Sequence, residues 1–185
     1  SFTSGARLYQ SGSSTAVGNS ALDYTAGSAN SAFGHYSMTD SESGSLYNSA
    51  FGAYSGANIT DGDNNSAFGY SAFQAATGAS DNSAFGYKAL YLTTGNRNTA
   101  MGSSALVANT TGYENIAVGY RALLANTTGG RNVALGYEAG TISNGSYNVY
   151  IGYQAGYGNE DDNKLYIGWN NPTTTSTSRD NLLYG

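Results

Sequence analysis

Residues Asn98–Gly140 read NTAMGSSALVANTTGYENIAVGYRALLANTTGGRNVALGYEAG. One phrase recurs three times in this stretch: Asn, any residue, Ala, a large apolar residue, Gly. It is NTAMG ending at Gly102, NIAVG ending at Gly119 and NVALG ending at Gly136. Moving outward, NSAFG stands at Asn30–Gly34, Asn48–Gly52, Asn65–Gly69 and Asn82–Gly86, and NVYIG ends at Gly152. Weaker copies, STAVG ending at Gly18 and KLYIG ending at Gly168, bring the anchor glycines to ten. Their separations are 16, 18, 17, 17, 16, 17, 17, 16 and 16 residues. A fixed short period is the signature of a repeat architecture whose units stack.

Other positions hold the same register. Three residues after the anchor stands a small residue, as in Ala72, Ala89, Ala105, Ala122 and Ala139. Directly after it, Tyr70, Tyr87, Tyr120, Tyr137 and Tyr153 dominate, with Trp169 last. A second glycine lies seven residues before most anchors, at Gly62, Gly95, Gly112, Gly129 and Gly145. Thr-Thr-Gly triplets ending at Gly95 and Gly112 have the composition of turns, where glycine supplies positive φ without steric cost.

Units this short exclude helical hairpin repeats, which need about 33 residues or more. Alternation within the phrase has the period of two of a β-strand, with Ala and Gly on one face and the large apolar residue on the other. The expected fold is therefore all-β: a parallel β-roll or β-solenoid of about ten coils of 16–18 residues. Stacking at roughly 4.8 Å makes a rod of about 45 Å, along which the Asn column can form a hydrogen-bonded ladder. In NVALG both strand faces are apolar, so both need cover. A coil covers one face with its own second half, and a neighbouring subunit is the simplest cover for the other. The fragment is thus expected to be an oligomer of closed symmetry rather than a monomer.

The reading divides the chain into a lead-in over residues 1–13, repeats over 14–169 and a Thr/Ser-rich collar or linker over 170–185 around the single Pro172. Tyr150 and Tyr166 replace the alanine of earlier copies, so the last two coils are expected to be wider. Leu182, Leu183 and Tyr184 look like the start of a further strand. Ser1 rather than Met opens the chain, as expected of a processed product or fragment.

Glycine occurs 26 times, tyrosine 17 times and cysteine never, so disulfides and thiolate metal sites are excluded. Only 10% of residues are charged and the net charge is −5, with seven basic residues scattered singly. Nucleic acid and anionic membranes, which need clustered Lys and Arg, are not expected partners. No apolar run reaches the roughly 18 residues of a membrane-spanning helix.

The phrase N-x-A-Φ-G-x-x-A resembles the head repeats of trimeric autotransporter adhesins, which are parallel β-rolls in intertwined homotrimers. The longer wording from Asn98 to Gly140, with NKLYIGWNN and LLYG further on, is similar to repeats of phage tail-fibre and related bacterial fibre proteins. In many of those, such a segment precedes an intramolecular chaperone domain of the endosialidase type. Several units here are longer than usual adhesin head repeats, and no chaperone domain is present. The resemblance implies a structural or adhesive segment of a trimeric fibre, extracellular, on a virion tail or a bacterial surface. A cell-surface glycan or receptor is the partner it implies beyond self-assembly.

Candidate chemistry is sparse, and no enzyme activity or cofactor is expected. His35 is the sole histidine and sits in the Tyr column. Asp61, Asp63 and Asn65 have the i, i+2, i+4 spacing of calcium ligands, but the closing Glu of an EF-hand loop is replaced by Ala72. A polar turn is the better reading there, as a solvated loop is for Glu160, Asp161 and Asp162. No phosphate-binding P-loop motif occurs. The Tyr column, if exposed, offers an aromatic ladder for stacking on sugar rings, and if buried it is interface packing. A glycan- or ice-binding solenoid is the alternative function, though Thr pairs persist only at 93–94, 110–111 and 127–128. Left-handed β-helix acyltransferases repeat a similar phrase every six residues, and that reading ranks last.

Overall fold

The computed structural model describes residues 7–11, 13–22, 29–40 and 45–169. All eleven strands belong to one sheet, ordered as in the sequence. A hairpin opens it: β1 (Arg7–Ser11) runs antiparallel to β2 (Ser14–Gly18), so part of the expected lead-in is itself a strand. From β2 onward every pairing is parallel and in register. The series continues through β3 (Ser31–Phe33), β4 (Ser49–Phe51), β5 (Ser66–Phe68), β6 (Ser83–Phe85), β7 (Thr99–Met101) and β8 (Ile116–Val118). It ends with β9 (Val133–Leu135), β10 (Val149–Ile151) and β11 (Leu165–Ile167). From β2 to β11 each strand holds the x-A-Φ core of one repeat phrase, with Tyr in place of Ala in β10 and β11, so the chain is a β-solenoid. The collar and Leu182–Tyr184 lie outside the described residues.

Alternation decides the faces. The Ala of each phrase points inward and is fully buried from Ala16 to Ala134, while the large residue points outward. Asn points inward too, and its side chain replaces the backbone partner that a three-residue strand lacks. Asn115 Oδ1 accepts the Asn132 backbone N–H at 2.9 Å, while its Nδ2 donates to the Gly129 carbonyl at 2.8 Å. The first bond repeats from Asn30 to Asn148, and Lys164 N–H closes the series on Asn148 Oδ1 at 2.7 Å. Buried polar groups must be paired, and this ladder pairs them coil by coil.

Past the anchor the chain turns through left-handed backbone. The second and fourth residues after each glycine have positive φ, for example Lys88 (52°) and Leu90 (48°), as does the residue before each Asn, for example Arg97 (59°). This alternation aims successive amides at opposite neighbours. Lys88 N–H donates to Tyr70 in the coil before at 3.0 Å, and Leu90 N–H to Ala105 in the coil after at 3.0 Å. The second wall is therefore hydrogen-bonded between coils without being a strand. It also carries the larger core residues: Leu22, Met38, Phe73, Leu90, Leu106 and Leu123 are all buried.

One sequence expectation is corrected here. Gly95, Gly112, Gly129 and Gly145 are absent from the positive-φ residues, so they do not serve as left-handed turn glycines. They are needed for space: a Cβ on Gly95 would lie 2.8 Å from the Gly112 carbonyl carbon of the next coil. Tyr150 and Tyr166 enter the core by an exchange with the opposite wall. Leucine gives way to Gly140 and Gly156 in the second wall, and the tyrosine rings take that space, a Cβ on Gly140 falling 2.8 Å from Tyr150 Cδ2. Ser143 Oγ meets the Tyr150 hydroxyl at 2.7 Å, and burial pushes that hydroxyl's pKa above its ordinary value.

Candidate functional site

The residue after each anchor glycine emerges where the chain leaves the sheet, which puts its side chain outside. Tyr70, Tyr87, Tyr120, Tyr137 and Tyr153 are 50%, 48%, 39%, 43% and 47% exposed, so none of them is core in the single chain. Ser103 interrupts the column and leaves two aromatic clusters.

The later cluster is closed on itself. Tyr120, Tyr137 and Tyr153 stack with ring centroids 5.2 and 5.1 Å apart. Beside them Arg121 approaches Glu138 at 3.5 Å, and Gln154 donates to Glu138 at 2.7 Å. Packing and the Glu138 carboxylate raise the Tyr137 hydroxyl above its ordinary pKa. Arg121 and Gln154, which flank this stack, are both partnered by Glu138.

The earlier cluster is open. Tyr70 and Tyr87 stack at 5.7 Å, but Tyr54 meets Tyr70 edge-on at 67° and 5.8 Å. Tyr54, Ser71 and Lys88 share the second position after the anchor in successive coils, and the short serine leaves a gap between its larger neighbours. That gap is a cleft of about 260 Å³ lined by Tyr54, Tyr70, Ser71, Gln74, Tyr87, Lys88 and Tyr91. Lys88 Nζ sits 5.4 Å from the Tyr87 ring centroid and 5.3 Å from that of Tyr91.

The remaining candidates fall elsewhere. His35 is exposed and packs edge-on against Tyr36 at 4.2 Å. Asp61, Asp63 and Asn65 are not assembled as a ligand set: Asn65 belongs to the buried ladder, and Asp63 Oδ1 accepts the Leu46 N–H at 2.8 Å. Among the described residues no three His, Cys, Asp or Glu side chains gather as a metal site. Asp162 likewise accepts the Ser146 N–H at 2.6 Å, so these turn carboxylates act as coil-to-coil acceptors, a role the sequence reading missed. Thr94 and Thr110 donate their hydroxyls to carbonyls of the next coil, both at 2.9 Å, so they present no free hydroxyl array. Glu114 bridges Arg97 and Arg131 at 2.9 and 2.8 Å, and those guanidiniums, Arg131 first, hold its carboxyl below the usual range.

On the outer sheet face the large residues of the phrase form a continuous apolar stripe. Phe33, Phe51, Phe68 and Phe85 stack at 4.8 Å between successive rings. Met101, Leu135, Ile151 and Ile167 continue it at 47%, 38%, 36% and 40% exposure, so no element among the described residues covers this face. No family model, no curated protein and no solved structure matches the chain. Among the described residues no helix is long and apolar enough to cross a membrane.

Proposed function

We propose that the chain is a non-catalytic structural and adhesive segment of a homotrimeric fibre, displayed outside the cell on a virion tail or a bacterial surface. The observation that carries this reading is the uncovered apolar stripe running from Phe33 to Ile167 along the outer face of the sheet. Single exposed apolar residues are ordinary, but a contiguous row of this length marks an interaction surface. Because the stripe recurs in every coil, a partner that repeats at the same interval fits it best, and another copy of this chain does so by construction. Three copies related by a three-fold rotation place the three stripes around one axis, and that rotation closes the assembly. The wording of the repeat, similar to that of tail-fibre and adhesin heads, supports the same assignment.

Light scattering on the folded protein tests it. The expected mass is three times the 19.1 kDa of the chain, independent of dilution through the micromolar range. Replacing Phe51 and Phe68 with Ser should shift that mass downward while the far-ultraviolet spectrum stays unchanged. A folded wild-type protein of one chain mass would end the proposal.

A further inference from the structure

We propose that the cleft between Tyr54 and Tyr91 is a binding site for an anionic saccharide, with the sugar face on Tyr70 and Tyr87 and its acidic group on Lys88. The proposal rests on the adhesive reading above and gives that reading a ligand class and an address.

Three features of the cleft support it. The first is shape: Ser71, 3% exposed, forms a floor where a longer side chain would fill the column. At about 260 Å³ the space is smaller than the roughly 300–1,000 Å³ of drug-sized pockets, which suits one sugar residue of a longer chain.

The second is aromatic surface. Tyr70 and Tyr87 are about half exposed and stand side by side, with an interplanar angle of 13°. A pyranose ring presents a flat face of C–H groups to such rings and hydroxyls to their rims, which is the amphipathic match a tyrosine provides. Neither hydroxyl has a hydrogen-bond partner among the described residues.

The third is unbalanced charge. The Lys88 ammonium lies between the Tyr87 and Tyr91 rings with no carboxylate paired to it among the described residues. Its counterpart in a later coil, Arg121, does have one in Glu138. Gln74 lines the same cleft with its amide unpaired among the described residues. A carboxylate or sulfate on the sugar gives the ammonium a charge-assisted hydrogen bond, stronger than a neutral one. A neutral saccharide would leave it unmatched.

The test is a printed array of uronic-acid, sialic-acid, sulfated and neutral saccharides, probed with the full chain whose mass has been measured in the same buffer. Solution titration follows on the strongest anionic saccharide and its uncharged analogue. The expected result is preference for anionic saccharides by about tenfold or more, reduced in high salt because the contact is an exposed one. Carboxylated against sulfated spots tell which acid Lys88 takes. Lys88→Ala should remove the preference while retaining residual binding, Tyr87→Ala should lose binding of both analogues, and Tyr157→Ala should change neither. An array with no anionic saccharide above background overturns the proposal, as does binding that survives Tyr87→Ala and Lys88→Ala together. A trimer that binds no saccharide defeats this inference alone, whereas a folded single-chain mass defeats the fibre reading.

Discussion

Adding one methyl group separates two roles of the anchor glycines. Gly119 and Gly168 have similar backbone, with φ of 136° and 127°, a region that L-residues rarely adopt. Alanine at either position therefore carries a similar strain, about 1–3 kcal/mol. Among the described residues, only Gly119 of the two has a further coil packed on it. Its added Cβ would lie 2.7 Å from the Gly136 carbonyl carbon and closer still to the oxygen, whereas no described residue lies within 4 Å of a Cβ on Gly168. Comfortable carbon contacts need about 3.5–4.0 Å, so the two coils must part by about 1 Å. The bonds flanking that point, Gly136 N–H to Val118 and Glu138 N–H to Tyr120, are both 2.8 Å and would be drawn beyond normal length. Two weakened bonds at about 1 kcal/mol each, with about 1–3 kcal/mol of overpacking, make Gly119→Ala about 3–5 kcal/mol worse than Gly168→Ala.

That difference is large against a total stability of about 5–15 kcal/mol. Equilibrium denaturation followed by circular dichroism measures it, with both variants at one protein concentration so that the proposed self-assembly contributes equally to each. Hydrogen exchange should place the loosened amides in the coils on either side of Gly119, since stability in a stack is nearest-neighbour. If Gly119→Ala and Gly168→Ala differ by less than about 1 kcal/mol, close coil approach is not what the anchor column is for.

Two further substitutions probe the interior. Asn115→Ala leaves the buried Asn132 N–H without its 2.9 Å acceptor, while the Gly129 carbonyl keeps Asn126 Nδ2 at 3.0 Å, and should lower stability by about 1–3 kcal/mol in the same denaturation assay; a loss below about 0.5 kcal/mol would mean water replaces the ladder. Gly140→Leu should destabilise by at least about 1–3 kcal/mol, because a Cβ there already meets Tyr150 and Leu123 at 2.8 and 2.9 Å. Combining it with Tyr150→Ala restores the leucine and alanine of earlier coils, so the double variant should be more stable than either single one, and strict additivity would refute the exchange of volumes.

How legible this chain is depends on whether a position obeys a simple period. From Ser14 to Ile167 the phrase alternates, so the strands, their parallel stacking and the Asn ladder follow from the residues alone, while which of the two strand faces is buried does not. Past each anchor that rule fails. Left-handed residues such as Lys88 and Leu90 bend the chain so that two consecutive side chains, Ala89 and Leu90, both turn inward. Neither a strand nor a helix period describes that, so the leucine column and its exchange with Tyr150 stayed hidden. Nothing local marks those positions either, since lysine, arginine and leucine are not residues that favour positive φ. Strand β1 escaped notice for a different reason: it lies outside the repeat and pairs in the opposite sense. The cleft depends on one short residue, Ser71, between Tyr54 and Lys88, a contrast that shows only when the second position after each anchor is lined up coil by coil.

The same geometry says where a stack of this kind can differ from coil to coil. Inside, the freedom is small. Alanine fills the strand column in eight of the ten parallel strands, glycine fills every anchor, and the two tyrosines are accommodated only because glycine appears opposite them. Outside, the second residue after the anchor runs Ser20, Tyr36, Tyr54, Ser71, Lys88, Ser104, Arg121, Glu138 and Gln154. All of these adopt the same left-handed backbone and make the same amide bond to the coil before wherever a coil precedes them, so side-chain chemistry there is independent of the fold. A stack of this kind that recognises a ligand can therefore write the specificity in this column and its two neighbours, the first and fifth residues after the anchor. Tyr70, Tyr87, Lys88, Gln74 and Tyr91 are drawn from those three positions and from no other.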